Sequence, residues 1–186
     1  VCMDMPDLKR WATGAFRASI NLSGHDLRSN QLFDHIYNTF MLYDVNPENI
    51  EFEVTESAYL ENFSLSNKFF RRISNMGCAI ALDDFGTGYS SLSYLTQINI
   101  DTLKVDRQFV TEIQSSVRSR LVTGAIIDLA KRLSLSVCAE GIENLEQWHY
   151  LIEHGCDNVQ GFMFSKPIPI NDLITSPCQY KAEQFA

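Results

Sequence analysis

Six short β-rich runs alternate along the chain with longer amphipathic stretches, and this alternation constrains the fold more than any other feature. The runs predicted to be strands are residues 17–22, 50–55, 78–83, 102–105, 136–140 and 158–162. The predicted helices are residues 26–43, 60–76, 90–97, 111–133 and 145–154. Strands that alternate with helices are typical of a parallel sheet covered by helices. The sequence therefore predicts an α/β protein.

Polar and charged residues lie near the carboxyl end of several predicted strands, and the positions before them are mostly apolar. On each strand they share one face, because side chains alternate between faces. They are Ser19, Asn21, Glu51, Glu53, Thr55, Lys104, Asp106, Cys138 and Glu140. In a (βα)₈ barrel, that end of every strand contributes to one shared mouth, where the chemistry takes place. Buried charges there are costly unless they meet each other or a metal.

An open doubly wound sheet is the alternative architecture, since it also binds ligands at the carboxyl ends of its strands. The sequence contains neither a GxGxxG nor a GxxxxGK[ST] loop, which favours the barrel. Only about six βα units fit in the chain, whereas a complete barrel has eight. We therefore expect a TIM-like (βα)₈ barrel that is incomplete at the N-terminus, with the missing first strand preceding Val1.

Asp83 and Asp84 end an apolar run and are followed by a glycine-rich turn. Adjacent strand residues point to opposite faces, so both carboxylates serve one site only if the strand stops there. Two carboxylates at a strand end suit Mg²⁺ or Mn²⁺. Asp and Gly are also favoured at helix N-caps and in turns, so a helix cap is an equally good interpretation of this segment alone.

Composition narrows the possible partners and the compartment. The formal net charge of -8 argues against a broad basic face that grips DNA or RNA, so a phosphate-bearing ligand would need metal ions. With 45% hydrophobic residues, the 186-residue chain is expected to form a single domain over its whole length. The five cysteines include no CxxC pair, so we expect free thiols in a reducing, cytoplasmic compartment.

Six ordered segments resemble the signature segments of the EAL domain family, and together they span nearly the whole chain. They are Asn21-Leu22-Ser23, Glu53-Val54-Thr55-Glu56-Ser57, Asp83-Asp84-Phe85-Gly86-Thr87-Gly88-Tyr89-Ser90-Ser91-Leu92, Leu103-Lys104-Val105-Asp106-Arg107, Ala139-Glu140-Gly141-Ile142-Glu143 and Gln160-Gly161-Phe162. The resemblance implies a modified (βα)₈ barrel. It also implies hydrolysis of the bacterial second messenger cyclic di-GMP to linear 5′-pGpG, with Mg²⁺ or Mn²⁺ as cofactor.

The resemblance further implies a two-metal site. The ligands of the first metal would be Asn21, Glu53, Asp83 and Glu140. The ligands of the second would be Asp83, Asp84 and Asp106, with Asp83 shared between the two. Two-metal sites of this kind clamp a phosphate and activate the attacking water.

Three further residues receive roles from the resemblance. Lys104 would lie near the attacking water, and Gln160 would lie at the same mouth. Glu56 would hold down the loop from Phe85 to Leu92, which is also implicated in homodimer contacts.

Taken singly, several site residues have plainer interpretations. Asn21 could cap a helix, Lys104 and Asp106 could be a surface strand pair, and Gln160-Gly161 could be an ordinary turn.

One expected motif is absent, because the Glu-Ala-Leu segment that gives the family its name would precede Val1. Its glutamate is a metal ligand in the family, so we expect this chain alone to be a weaker catalyst than its parent. The alternative function is a catalytically inactive EAL domain that acts as a cyclic di-GMP receptor or protein-interaction module. Every matching ligand position in the chain is filled, which favours the enzyme. An upstream sensor or GGDEF-type domain, and a membrane-anchored parent, are compatible with this family.

Overall fold

A six-stranded, wholly parallel sheet forms the centre of the fold. The computed structural model describes residues 1–12, 16–87 and 92–175. The strands are β1 (Ala18–Leu22), β2 (Ile50–Thr55), β3 (Ala79–Phe85), β4 (Thr102–Val105), β5 (Ser136–Glu140) and β6 (Asn158–Gln160). Their spatial order follows the chain order from β1 to β6. A doubly wound sheet reverses its strand order at a switch point. The sequential order therefore confirms the incomplete barrel, here a half-barrel.

Helices connect the strands. They are α1 (Met5–Trp11), α2 (Gly24–Leu27), α3 (Leu32–Tyr43), α4 (Glu56–Glu61), α5 (Phe63–Asn75), α6 (Arg107–Thr111), α7 (Val117–Arg132), α8 (Leu145–Glu153) and α9 (Ile170–Thr175). Short 3₁₀ helices cover Cys2–Asp4, Pro47–Asn49 and Leu92–Thr96.

Within the ranges that the structure describes, no helix combines the length and apolar character needed to cross a membrane.

The six predicted strands are confirmed, but three predicted helices were too long or began too late. Residues 26–43 divide into α2 and α3, residues 60–76 into α4 and α5, and residues 111–133 into α6 and α7. Apolar periodicity continues across these breaks, and only capping residues reveal them. Ser116, for example, caps α7 by accepting a hydrogen bond from the Ser119 amide. The predicted helix at residues 90–97 is the 3₁₀ helix Leu92–Thr96, and residues 90 and 91 lie outside the described ranges.

The core lies between the outer face of the sheet and the helices. On β2, Ile50, Phe52 and Val54 are at most 1% exposed, whereas the alternate residues Glu51 and Glu53 carry charges. This period of two puts the apolar side chains against the helices and the charged ones on the inner face of the half-barrel. Helix residues that complete the core include Tyr59, Phe70, Ile73, Ile127 and Leu151.

Gly161 follows β6 where the chain passes very close to the segment after β5. A Cβ atom on Gly161 would lie 2.1 Å from the Ile142 carbonyl oxygen and 2.3 Å from its nitrogen. The Ile142 backbone is itself fixed, since its amide donates to the Gln160 carbonyl at 3.1 Å. We expect Gly161→Ala to lower the free energy of unfolding by about 3 kcal/mol, measured by urea denaturation, because neither backbone can move aside.

Gly155→Ala is the matched control. Gly155 has a positive φ of 80°, which Gly161 does not, and its Cβ would meet the Lys131 side chain at 3.9 Å. Loss of the glycine conformation alone should cost about 1 kcal/mol. Equal losses in the two variants would contradict the close approach at Gly161.

Candidate active site at the carboxyl ends of the strands

The pairing register brings the predicted site residues to one face and one end of the sheet. In neighbouring strands, Asn21 pairs with Glu53, Thr55 with Asp83, Lys104 with Cys138, and Glu140 with Gln160. Because side chains alternate strictly, these pairs share the inner face. Residues that are more than 130 positions apart in the chain therefore meet at one mouth.

Lys104 lies at the centre of this mouth. Its Nζ atom is 2.7 Å from Glu53 Oε2, 2.5 Å from Glu140 Oε1 and 3.5 Å from Asp83 Oδ1. Lys104 is 4% exposed and Glu53 is 7% exposed. A surface strand pair is therefore excluded for Lys104. Removing one partner of such a buried group leaves uncompensated charge, which is strongly destabilising.

The carboxylates keep Lys104 protonated. Burial by itself lowers the pKa of this lysine, but hydrogen bonds to Glu140 and Glu53 and the charge of Asp83 outweigh it, so the pKa is raised. Lys104 therefore remains an ammonium at physiological pH and cannot accept a proton. Burial raises the pKa of Glu140, and the charges of Asp83 and Glu53 add to this, although Lys104 partly opposes them.

The strand ends irregularly at the paired aspartates. β3 continues to Phe85, so Asp83 and Asp84 are strand residues and not a helix N-cap. The register with β4 shifts between Leu82 and Phe85, and Asp84 has a φ of 55°. A non-glycine residue in this left-handed region costs about 1 to 3 kcal/mol, although aspartate tolerates it better than most residues. This irregularity breaks the strict alternation of faces that the sequence would impose.

The irregular turn brings Asp84 close to other carboxylates. Burial raises the pKa of Asp84, and the charges of Asp83 and Asp106 raise it further, against the opposing charge of Lys104. Asp106 has a second role that the sequence did not predict, since its Oδ1 atom accepts a hydrogen bond from the Gln108 amide at 2.7 Å and caps α6.

Asn21 and Gln160 lie at the two edges of the sheet, on β1 and β6, and both are exposed. Within the described ranges, neither side chain hydrogen-bonds to the carboxylates. Asn21 does not cap α2, because Ser23 does so by accepting a hydrogen bond from the Asp26 amide. Their register neighbours are Glu53 and Glu140, so they flank the charged cluster.

Glu56 holds the beginning of the loop that follows β3. Its side chain is 4% exposed, and its Oε2 atom accepts a long hydrogen bond of 3.4 Å from the Gly86 amide. The Tyr94 hydroxyl donates to Oε1. The Gly86 contact lies at the start of the segment that Glu56 is predicted to hold, and that role stays a prediction. Residues 88–91 lie outside the described ranges, so the homodimer contact of this loop stays a prediction.

The donor set suits divalent cations, although the side chains surround Lys104. Within the ranges that the structure describes, no three or more Asp, Glu, His or Cys side chains converge on a common metal position. The carboxylates nevertheless outnumber the single ammonium. Burial raises the pKa of Asp84 and Glu140, and the charges of the neighbouring carboxylates add to this. Bound Mg²⁺ or Mn²⁺ would relieve that repulsion, and carboxylate oxygens are the ligands they prefer. The set comprises Glu53, Asp83, Asp84, Asp106 and Glu140.

Two cavities open at opposite ends of the strands. One of about 160 Å³ lies beside Glu140 and Gln160, and Arg107 and Phe162 also line it. The other, of about 830 Å³, lies at the amino ends of the strands, far from the carboxylate cluster. Of these two cavities, the smaller one adjoins the predicted site.

Known proteins are similar to this chain in both sequence and fold. The EAL domain family model matches residues 2–167. The cyclic di-GMP phosphodiesterase NbdA of Pseudomonas aeruginosa is 36% identical over 172 residues, which cover 92% of this chain and 22% of that protein. The curated relatives are far longer than this chain, which spans 19% of one of them and 28% of another.

Solved structures agree with the fold. The PaMucR phosphodiesterase in complex with c-di-GMP matches with a TM-score of 0.87 and 32% identity, covering 92% of this chain and 70% of that one. BlrP1 of Klebsiella pneumoniae, solved with manganese and cyclic di-GMP, matches with a TM-score of 0.79 and 29% identity, covering 89% and 42%.

Proposed function

Because this chain belongs to the EAL domain family, we propose that it hydrolyses cyclic di-GMP to linear 5′-pGpG in bacterial second-messenger signalling, with Mg²⁺ or Mn²⁺ as cofactor. One observation carries the proposal most strongly. A buried ammonium, Lys104, is held by Glu53, Glu140 and Asp83 at the mouth of the half-barrel. PaMucR and BlrP1, each solved with cyclic di-GMP, support the choice of substrate.

Charge explains why the site would need cations. A phosphodiester is anionic, and it would approach a cluster of carboxylates in a chain with a net charge of -8. Without added positive charge the two would repel each other. Asn21, Glu53, Asp83 and Glu140 would hold one cation, and Asp83, Asp84 and Asp106 the other. When bound, the two cations supply Lewis acidity and offset the charge of the phosphate. The manganese in BlrP1 supports this assignment.

The chain's own residues position the reactants. Hydrogen bonds to Glu140 and Glu53 raise the pKa of Lys104 against the effect of burial, which favours a role as a donor over one as a general base. Its ammonium can orient the attacking water and stabilise negative charge that builds up on the phosphate oxygens. Glu53 and Glu140 fix Nζ in advance, so little reorganisation is needed during the reaction. Gln160 can hydrogen-bond to water or substrate from the edge of the mouth.

We also propose three properties of the longer protein in which this domain would act. The domain would act in the cytoplasm, homodimerise through the region from Phe85 to Leu92, and be joined in a longer parent to a sensor or GGDEF-type domain. The length of the curated relatives supports the last of these.

A product-resolved assay tests the proposed function. The full-length protein is incubated with cyclic di-GMP and Mn²⁺ or Mg²⁺, and the nucleotides are separated by chromatography. We expect 5′-pGpG to form with either cation and to disappear when EDTA is added. Nucleotide that is bound but not cleaved would instead identify a cyclic di-GMP receptor, and neither binding nor cleavage would indicate a protein-interaction module.

Glu56→Ala is expected to lower turnover by about ten- to a hundredfold, although it removes none of the proposed metal ligands. The Gly86 amide would lose its carboxylate partner, and the turn that carries Asp83 and Asp84 would loosen. Glu61→Ala is the matched control, because Glu61 lies on the same helix but forms only an exposed ion pair with Arg28, at 2.7 Å. Steady-state rates at saturating Mn²⁺ distinguish the two, and similar rates in both variants would contradict this role.

A further inference from the structure

We propose that Tyr94 is a positioning residue, whose hydroxyl holds the Glu56 carboxylate and thereby fixes the turn at Asp83 and Asp84. The catalytic consequence rests on the proposed function, whereas the structural claim does not. Tyr94 lies in the 3₁₀ helix Leu92–Thr96, beyond the loop, and is 8% exposed.

Two donors orient the buried carboxylate of Glu56 from opposite ends of the loop. The Tyr94 hydroxyl donates to Oε1, and the Gly86 amide donates to Oε2 at 3.4 Å. Hydrogen bonds to a charged acceptor are stronger than those between neutral groups. The bond from Gly86 is long, so the orientation of the carboxylate depends mainly on Tyr94.

The turn transmits this orientation to the aspartates. Asp84 and Gly86 both have positive φ angles, of 55° and 93°. The Thr87 hydroxyl donates to the Asp84 carbonyl at 2.9 Å, and the Asp84 amide donates to Asp83 Oδ1 at 2.9 Å. The left-handed conformation of Asp84 costs free energy and persists only where surrounding contacts hold it. The contact of Gly86 with Glu56 is one of these, and Tyr94 determines where that carboxylate points.

Tyr94→Phe isolates the hydroxyl, because the aromatic ring remains to fill its buried position. Tyr150→Phe is the matched control. Tyr150 is 6% exposed, and its hydroxyl donates to the Arg120 carbonyl at 2.6 Å, away from the loop. Each substitution therefore removes the hydroxyl of a buried tyrosine. Tyr94→Phe should lose more stability than Tyr150→Phe, because the Tyr94 hydroxyl donates to a charged acceptor.

Amide hydrogen exchange at Gly86 in the full-length protein, measured by NMR, is the primary test. We expect Tyr94→Phe to speed exchange at Gly86 by about tenfold and Tyr150→Phe to leave it unchanged. In a Glu56→Ala background, which removes the acceptor, Tyr94→Phe should add little, since the hydroxyl acts through that carboxylate. We also expect Tyr94→Phe to raise the Mn²⁺ concentration for half-saturation severalfold, measured from the free-ion EPR signal.

Unchanged exchange at Gly86 in Tyr94→Phe, or an equal increase in Tyr150→Phe, would overturn the proposal. A full additional increase in the Glu56→Ala background would also overturn it, because the hydroxyl would then act by another route. A wild-type protein that does not cleave cyclic di-GMP would refute the proposed function alone. The exchange measurements would still decide the role of Tyr94.

Discussion

Glu53→Gln is expected to lower kcat/KM for cyclic di-GMP by about a thousandfold. Glu53 is a proposed metal ligand, and its Oε2 atom is 2.7 Å from the Lys104 ammonium. The substitution therefore removes a negative ligand and one of the charges that attract the Lys104 ammonium, while keeping the size of the side chain. Initial rates over a range of Mn²⁺ concentrations measure the loss and separate weaker cation binding from slower chemistry.

Glu51→Gln is the matched control for this variant. Glu51 precedes Glu53 by two residues on the same face of β2, and its Oε1 atom accepts a hydrogen bond from Thr102 at 3.0 Å. Glu51 is nearer the amino end of β2 than Glu53 and is not a proposed metal ligand. Glu51→Gln should therefore change kcat/KM by no more than about threefold. Comparable losses in the two variants would mean that any buried charge on β2 supports the fold, and that Glu53 has no special role.

Lys104→Met is expected to destabilise the metal-free protein by about 3 to 5 kcal/mol, because it leaves buried carboxylates without their cation. Added Mn²⁺ should restore much of this stability, since it would offset the same negative charges. Turnover should remain low even with Mn²⁺ present, because the ammonium would be missing. Urea denaturation with and without Mn²⁺ measures the first two effects.

Lys131→Met is the control, because the ion pair of Lys131 with Asp157 is partly exposed. Its loss should cost less than about 1 kcal/mol. A Lys104→Met protein as stable as the wild type without metal would contradict the charge balance inferred for the mouth.

Lys104→Met should also change the pH dependence of stability. The pKa of Glu140 already lies above its ordinary value of 4.5 because of burial and neighbouring carboxylates, and loss of Lys104 would raise it further. A carboxyl group whose folded-state pKa is raised costs stability as pH rises from its unfolded-state value through its folded-state value. The metal-free variant should therefore gain stability when the pH falls from neutral toward the folded-state pKa of Glu140. A pH-independent difference from the wild type would contradict this explanation.

Much of the architecture followed from the sequence, because strand positions and faces depend on local periodicity. The alternation in β2 placed Glu53 on the inner face, and the chain order of the βα units predicted the strand order. Gly77 and Gly155 directly follow predicted helices, where glycine is a favoured C-cap, and their φ angles of 100° and 80° agree with that position.

Contacts between distant side chains could not be predicted in this way. Spacing indicates which face Lys104 occupies, but not that its Nζ lies among three carboxylates from β2, β3 and β5. The left-handed conformation of Asp84 depends on the turn that follows it, and no local pattern predicts it. Tyr94 was missed because only its need for a hydrogen-bond partner in the core distinguishes it from an ordinary buried aromatic residue.

An anomalous difference map from crystals of the protein grown with Mn²⁺ tests the central claim most directly. The account predicts two Mn²⁺ peaks at the carboxyl ends of the strands, in contact with the carboxylates of Glu53, Asp83, Asp84, Asp106 and Glu140. A map without peaks at the mouth, at Mn²⁺ concentrations that support turnover, would contradict the account. Lys104 would then be the permanent counter-ion of these carboxylates, in a domain that binds nucleotide or protein without metal-dependent hydrolysis.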